Sequence, residues 1–595
     1  MPDIAITALV GIPSIARALF EGSPFSGLNS KQLTAAIDSL KDAGTASAGS
    51  VRFKYAEAAR LDGDTIYALI RTGLPDQAAE PFACLETAVL ALYLRFLSAS
   101  ETRASRRPWL TNEERRVNLT LPDGGQFQLV EFPGPRPEST FPWRSAKLFP
   151  ISASDQNGLM RQLDLLEQRL PSNLDDLAIA WRSEYRQDAP LAMALIARDE
   201  PGLRKEIEVM RRGLPKAFTE NGEAKTPAGS YFTATPQGEG GVAFVYPGVG
   251  SPYVGIASDL FALAPPLLDR FHQLSNGQPA RYLHVDEMYP REKSNDSAFY
   301  RDIIGVGEVA ISTAVLFTMM LRDGFAVQPT SAMGYSFGEP MMLAALGVWP
   351  EPALLTSHLD RSPTFHTRLH GPMDAIRAHW GLRPDEPVEW KSYTVRATMA
   401  QAFDAIKGES RAYVSVINTL EEVVLGGEPA ACRRVLDKLG TTAIEIPVNL
   451  TIHCQAVHSE RPEFAAIHDL PTVAVQGIDF FSSATYLPLE LTRENLRNAI
   501  ADAYCKIVDF PRLVRKVHSN GARVFVEVGG RRNCCTWIEK VLKGKPHVTI
   551  PCDSKGMGDD VSLLRAIARL VSHRVPLSLD ALYEAQGPSG RKGGS

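Results

Sequence analysis

Histidine is scarce in this chain, 12 in 595 residues, and none occurs before His272. Chemistry that needs an imidazole is therefore excluded from the first 271 residues. Cysteine is scarcer still. The seven (Cys84, Cys432, Cys454, Cys505, Cys534, Cys535 and Cys552) include no Cys-x-x-Cys pair, which argues against a disulfide framework or a zinc site and for a reduced, cytoplasmic setting with no metal. An excess of positive charge is also missing. A net charge of −5 and a pI near 6.2 argue against nucleic acid or an anionic membrane as a partner. Apolar runs such as Val309–Met320 stop well short of the roughly 18 residues of a spanning helix. The N-terminus lacks a basic segment followed by an apolar core, so no export signal is expected either. At this length one core does not suffice, and three or four units are expected.

What the chain does contain is Gly334-Tyr335-Ser336-Phe337-Gly338-Glu339. The G-x-S-x-G spacing is that of a nucleophile elbow, where small residues two before and two after a serine allow a tight strand-to-helix turn that pushes the hydroxyl outward. Composition alone would place this spacing in about one chain in five of such length, so its flanks decide. Downstream, Met341 to Leu346 is strong helix-forming sequence, and Pro340 falls early enough in it to be tolerated. Upstream, Ala310–Met320 is apolar enough for a buried helix, and Thr330–Met333 is a mediocre strand. At Val242–Ser251 a buried strand ends in a glycine-rich loop. The third glycine of a dinucleotide fingerprint is not at its spacing. Such a loop equally presents a backbone N–H to an oxyanion, which suits Ser336 better.

Residues 1–145 mix helix and strand signals: a long apolar helix over Pro81–Ser100, a hairpin over Leu119–Phe132 turning at Asp123-Gly124-Gly125, and a break at Gly134-Pro135-Arg136-Pro137. With Arg107-Pro108-Trp109 and Arg115-Arg116-Val117-Asn118 in their order, this stretch resembles the C-terminal part of a ketosynthase. The cysteine and two histidines of that chemistry are missing, so the resemblance implies a catalytically dead remnant with Cys84 as a core residue. Residues 146–235 alternate strand (Lys147–Ala153), helices, strand (Leu191–Ala197) and a charged helix (Asp199–Gly213), with a surface linker over Lys216–Gly241. The succession is similar to the linker domain between ketosynthase and acyltransferase. Residues 377–450 read as an insertion of β-α-β-β-α-β order, the ferredoxin-like pattern, between two parts of a larger unit at 236–376 and 451–580. The tail, 581–595, is polar, and from Gln586 on it reads as disordered.

His453 follows immediately on the chain's return from that insertion, which places it at the rim of a cleft between two subdomains. A serine hydroxyl needs a base within hydrogen-bond reach to attack a thioester near neutral pH, and His453 is the best candidate among the twelve. A histidine satisfied in the core is the other reading of the same residue.

The ordered set of Pro247-Gly248-Val249-Gly250-Ser251, the Ser336 elbow, Arg361 25 residues on, Asn418, Val423-Val424 with Gly426-Gly427, His453-Cys454 and Glu527-Val528-Gly529 resembles the acyl-CoA:acyl-carrier-protein transacylase family. That family holds the malonyl transferases and the acyltransferase domains of polyketide synthases. The Tyr-Pro-Gly-Val-Gly loop, the Gly-Tyr-Ser-Phe-Gly-Glu elbow and the ketosynthase-like remnant bring the chain closest to the PfaB-type acyltransferase subunits of bacterial polyunsaturated fatty acid synthases. The resemblance implies an α/β fold: an α/β-hydrolase-like large subdomain with an inserted ferredoxin-like small one, preceded by an α/β linker domain and a truncated thiolase/ketosynthase-like unit. It implies a Ser336–His453 dyad whose imidazole is oriented by backbone carbonyls, with the oxyanion hole at the amides of Val249 and Phe337. Arg361 and Asn418 fall on the substrate side. A buried Arg361 would grip a malonyl carboxylate with two parallel hydrogen bonds, whereas beside Asp360 it also fits a surface ion pair. Ile452 would narrow the acyl pocket. Two residues depart from the family: Val249 replaces a usual glutamine, and Tyr335 a usual histidine. Implied as well are a coenzyme A thioester donor, no bound cofactor, the phosphopantetheine thiol of an acyl carrier protein as acceptor, and other synthase subunits as partners. Thioesterase-like release of the chain and a non-catalytic docking subunit are the alternatives.

Overall fold

A computed structural model of the chain describes residues 146–583 apart from 265, 291–295 and 448–449, together with separate segments of the first 145 residues. Cys84, Trp109, Gly124-Gly125, the stretch 134–137 and the tail from 586 lie outside the described residues.

Near the N-terminus a seven-stranded sheet includes the hairpin Arg116–Thr120 with Gln126–Val130. The helix expected over 81–100 is shorter, Leu85–Leu94, with strands at Glu80–Phe82 and Phe96–Leu97 on either side. Pro81 accounts for its start: the Glu80–Phe82 strand lies at the edge of the sheet, where a residue without an N–H is tolerated. A four-stranded antiparallel sheet follows, in the order Lys147–Ala153, Leu191–Ala197, Tyr231–Thr233, Glu223–Lys225. This corrects the surface linker expected over 216–241. The helix Glu200–Glu220 runs on through Pro215 because Leu214 and Ala217 extend the buried stripe of Leu203, Ile207 and Met210, and Tyr231–Thr233 is a fully buried strand.

Beyond residue 240 the chain forms β1 (Gly241–Tyr246), α1 (Ile303–Met319), β2 (Ser331–Gly334), α2 (Gly338–Ala345) and α3 (Ala353–Arg361). Then come β3 (Lys391–Val395), α4 (Met399–Ala405), β4 (Ala412–Thr419), β5 (Glu422–Gly427), α5 (Pro429–Leu439) and β6 (Ala443–Glu445). The last stretch holds β7 (Asp479–Phe481), α6 (Arg493–Cys505), β8 (Val508–Asp509), β9 (Ala522–Glu527), α7 (Asn533–Val541) and β10 (Val548–Pro551). One five-stranded sheet, in the order β7-β2-β1-β9-β10, is parallel throughout. Its strands are covered on both faces, which is why β1 reads as an uninterrupted apolar run. Val242, Phe244 and Tyr246 pack into one core and the alternate residues Ala243 and Val245 into another. A second sheet, β6-β3-β5-β4-β8, holds the β-α-β-β-α-β segment. Its edge strand β8 comes from beyond the expected insertion and pairs parallel to β4.

α1 is longer than the apolar run Val309–Met320 alone suggests. Continued by a π-helical turn, Ile303–Gly324 makes 22 residues whose apolar 18-residue window has a mean hydropathy of 1.9, and 89% of that window is buried inside the protein. It is a core helix by packing.

β2 and β9 flank β1 on opposite sides, so the chain changes direction across the sheet at β1. In parallel α/β sheets the crevice outside the carboxyl ends of such strands is where ligands bind. The loops that leave those ends are 247–251 and 335–337.

Candidate active site

β2 ends at Gly334 and α2 begins at Gly338, so the turn between them has three residues. Both glycines are required by contact. A Cβ on Gly334 would stand 2.1 Å from the Glu339 amide nitrogen, and one on Gly338 2.0 Å from the Tyr246 carbonyl oxygen. Ser336 itself has φ of 57°, a left-handed conformation that costs a non-glycine residue free energy and is held by its surroundings. Those surroundings are the Tyr335 N–H donating to the Tyr246 carbonyl at 2.9 Å and the Glu339 N–H donating to the Ser336 carbonyl at 3.1 Å. The buried Glu339 carboxylate in turn accepts from the Ser483 N–H at 2.9 Å and the Ser483 hydroxyl at 2.7 Å.

Ser336 Oγ lies 2.6 Å from His453 Nε2. His453 Nδ1 lies 2.7 Å from the Ala503 carbonyl oxygen in α6. A carbonyl only accepts, so Nδ1 carries the proton, Nε2 is the free base, and the serine hydroxyl donates to it. His453 is 2% exposed and packs edge-on against Tyr504. Burial pulls its pKa down to about 4, against the backbone acceptors at Ala503 and Lys506 that push it up. The imidazole is therefore neutral at any pH above about 5, and the base form is fully populated.

Two consequences for pH follow. The rate of serine acylation should be flat from neutral pH down to about 5 and halve near pH 4, where an exposed histidine would halve it near 6.5. Measurement of single-turnover acylation against pH checks this, and a midpoint near 6.5 contradicts it. Stability shifts in the same window. Between the unfolded value near 6.5 and the native value near 4 the unfolded chain binds a proton that the native chain does not. This contribution is complete above about pH 6.5 and is lost as pH falls toward 4. His468, also buried and lowered to about 4, acts in the same direction.

The dyad opens on a cavity of about 380 Å³, and Val249, Phe337 and Asn418 line it too. The amides of Val249 and Phe337 donate to no acceptor among the described residues, leaving two N–H groups on the wall that holds Ser336. Asn418 is engaged otherwise than expected. It is 1% exposed. Its Oδ1 accepts from the Tyr335 hydroxyl at 2.8 Å, and its Nδ2 donates to Glu422 at 3.1 Å. It ties the elbow to β5 of the smaller sheet. Tyr335 reaches it from between Phe510 and Trp537.

Arg361 is the clear departure. It ends α3 exposed to solvent and is not among the residues lining the cavity. Leu359, two residues earlier, does line it, and residues two apart on a helix point about 200° away from each other. Asp360 pairs with Arg281 at 3.2 Å instead. The resemblance placed Arg361 on a helix that does line the cavity, but on that helix's solvent face.

Sequence reasoning missed the aromatic wall of the small sheet. Trp390 lines the cavity and stacks between Trp380 and Tyr413, with interplanar angles of 16° and 15°. It also missed the role of Glu527. That carboxylate accepts the amides of Cys534 at 3.2 Å and Cys535 at 2.7 Å at the start of α7, and burial raises its pKa to about 7. An acidic residue closing a buried strand six residues before α7 was the available signal.

No family model matches the chain. Among curated proteins it is 27% identical over 440 residues to a polyunsaturated fatty acid synthase subunit of Thraustochytrium sp., a match over 70% of this chain and 21% of that protein. The chain thus spans about a fifth of that relative's length. It is also 24% identical over 490 residues to the non-reducing polyketide synthase PKS19 of Phaeosphaeria nodorum, covering 79% of this chain and 25% of that one. Among solved structures, the acyltransferase domain from module 8 of the salinomycin polyketide synthase superposes with a TM-score of 0.58 at 19% identity, over 73% of this chain and 98% of that domain. The acyltransferase domain of SpnD, in complex with 2-(pent-4-yn-1-yl)malonyl, gives 0.57 at 18% identity, over 74% and 98%. Across about three quarters of its length, the chain has the α/β fold of polyketide synthase acyltransferase domains.

Proposed function

We propose that the chain is an acyltransferase that moves an acyl group from a coenzyme A thioester, through an acyl-serine at Ser336, to the phosphopantetheine thiol of an acyl carrier protein in a fatty acid or polyketide type of synthase. The observation that carries it is the 2.6 Å contact of Ser336 Oγ with a His453 imidazole whose other nitrogen is committed to the Ala503 carbonyl. The likeness to a polyunsaturated fatty acid synthase subunit supports placing the activity in such a synthase.

In the first half-reaction the Ser336 hydroxyl gives its proton to His453 Nε2 as Oγ attacks the thioester carbonyl. The amides of Val249 and Phe337 hold the oxyanion. The C–S bond then breaks, and the imidazolium returns the proton to the departing thiolate. In the second half-reaction His453 takes the proton of the incoming pantetheine thiol, its sulfur attacks the acyl-serine ester, and Ser336 leaves reprotonated.

Within this reading the parallel sheet is the large subdomain, of α/β-hydrolase-like type, and β3 to β6 form a ferredoxin-like small subdomain supported by their sheet order. The sheet at 147–233 is a linker domain, and residues 1–145 are a ketosynthase-like remnant kept for packing or docking. The six described cysteines are free and buried, which supports placement in a reducing cytoplasm.

Intact-protein mass spectrometry after incubation with a panel of acyl-CoA donors, with and without a carrier protein, tests the function. An acyl adduct on Ser336 that passes to the carrier is expected. Absence of an adduct with every donor, while a control transferase loads, overturns it. An adduct lost to water and not to carrier replaces it with thioesterase-like release.

A further inference from the structure

The charges around the cavity are largely engaged. Among the described residues that line it, Arg531 is the sole lysine or arginine. Its guanidinium donates to Asp296 at 3.2 Å and to the Tyr300 hydroxyl at 2.9 Å, and it lies over the Tyr253 ring. Glu445, at the mouth, pairs with Lys391 at 2.9 Å, and Glu527 is held by the α7 amides. The rest of the wall is largely apolar and includes Leu359, Phe365, Trp390, Ile446, Leu450 and Ile452. The wall continues outward to Ile444, a lining residue that is 75% exposed.

A malonyl group on Ser336 would bring a second carboxylate into this space. It would lose its water, and the guanidinium nearest at hand, that of Arg531, already donates to Asp296 and Tyr300 and keeps its buried Nε without a partner, so most of the penalty on a charge buried unpaired would stand. A hydrocarbon chain loses nothing on entry and removes its own surface, and that of the wall, from water. Arg361, which the resemblance assigned to a carboxylate, is exposed and does not line the cavity. We propose that Ser336 accepts an uncharged acyl chain in preference to a malonyl group, with Leu359 and Trp390 as specificity-determining residues and Ile444 carrying the distal end of a longer chain toward the surface. The proposal rests on the acyl-serine reading above.

The test is a competition. Wild-type protein is incubated with equal concentrations of malonyl-, acetyl-, octanoyl- and palmitoyl-CoA, and the mass adduct on Ser336 is followed in time. Octanoyl or palmitoyl adduct should form at least about 100-fold faster than malonyl adduct, the discrimination typical of an unpaired buried charge. Arg361→Ala should leave the ratio between donors unchanged. Leu359→Arg, which places a guanidinium on the face that lines the cavity, should shift the ratio toward malonyl by about 10-fold or more. Malonyl loading faster than both chains in the wild type, or a loss of malonyl loading alone in Arg361→Ala, overturns the proposal while leaving the acyl-serine intact. An absence of adduct with every donor overturns both. The wild-type ratio and the Arg361→Ala variant decide the matter even if Leu359→Arg does not fold.

Discussion

Ser336→Ala is expected to eliminate the covalent acyl adduct and to lower acyl transfer by about 10³-fold or more, the loss usual for removal of a nucleophile from a working dyad. The change leaves the imidazole, the two amides and the cavity in place, so donor binding should persist while the chemistry stops. Mass spectrometry reads the first effect and transfer to carrier protein the second. Full transfer by this variant would move the nucleophile elsewhere and undo the mechanism. A companion variant separates chemistry from backbone strain. Ser336→Gly also lacks the hydroxyl but accepts the φ of 57° without penalty, so it should be as inactive as the alanine variant and unfold at a higher temperature.

His453→Ala is expected to cost about 10²- to 10⁴-fold in acylation, the range typical of a general base. Adding free imidazole should restore part of it, because the Ala503 carbonyl remains to orient a ring in the space vacated. What remains should no longer show the fall near pH 4, since no group with that pKa would be left on the serine. A variant that keeps the wild-type rate, or keeps the same pH midpoint, would assign the base to another residue. Both substitutions also bear on the docking-subunit alternative, which predicts that neither changes any rate.

The elbow and the base were legible for different reasons. Gly334 and Gly338 stand out in sequence because contact distances of 2.1 and 2.0 Å leave no room for a side chain, so the chemistry is written in what is absent. His453 was found from topology, since the periodicity of the inserted segment told where the chain comes back. Its partner was not legible. Ala503 contributes only a carbonyl, and any residue in α6 with that backbone would serve. Arg361 shows the opposite failure. The resemblance reached the correct helix, but a shift of two positions around its axis decides between cavity and solvent. The aromatic stack of Trp380, Trp390 and Tyr413 joins residues from three separate stretches, and no local pattern announces such a meeting. The strand Tyr231–Thr233 was hidden because three residues among glycine, proline and threonine carry too little periodicity to be distinguished from a loop.

β8 bears on how the two sheets can be recombined. It is two residues long, pairs with β4 in the smaller sheet, and starts three residues after α6, the helix that supplies the Ala503 carbonyl to His453. The smaller sheet is therefore not an exchangeable cassette bounded by the points where the chain leaves and rejoins the larger one. Cut at those points, it would take an unpaired edge with it and leave behind the strand that fixes the end of α6. A segment that keeps this edge paired extends through Asp509, and so includes α6 and the carbonyl that orients the base.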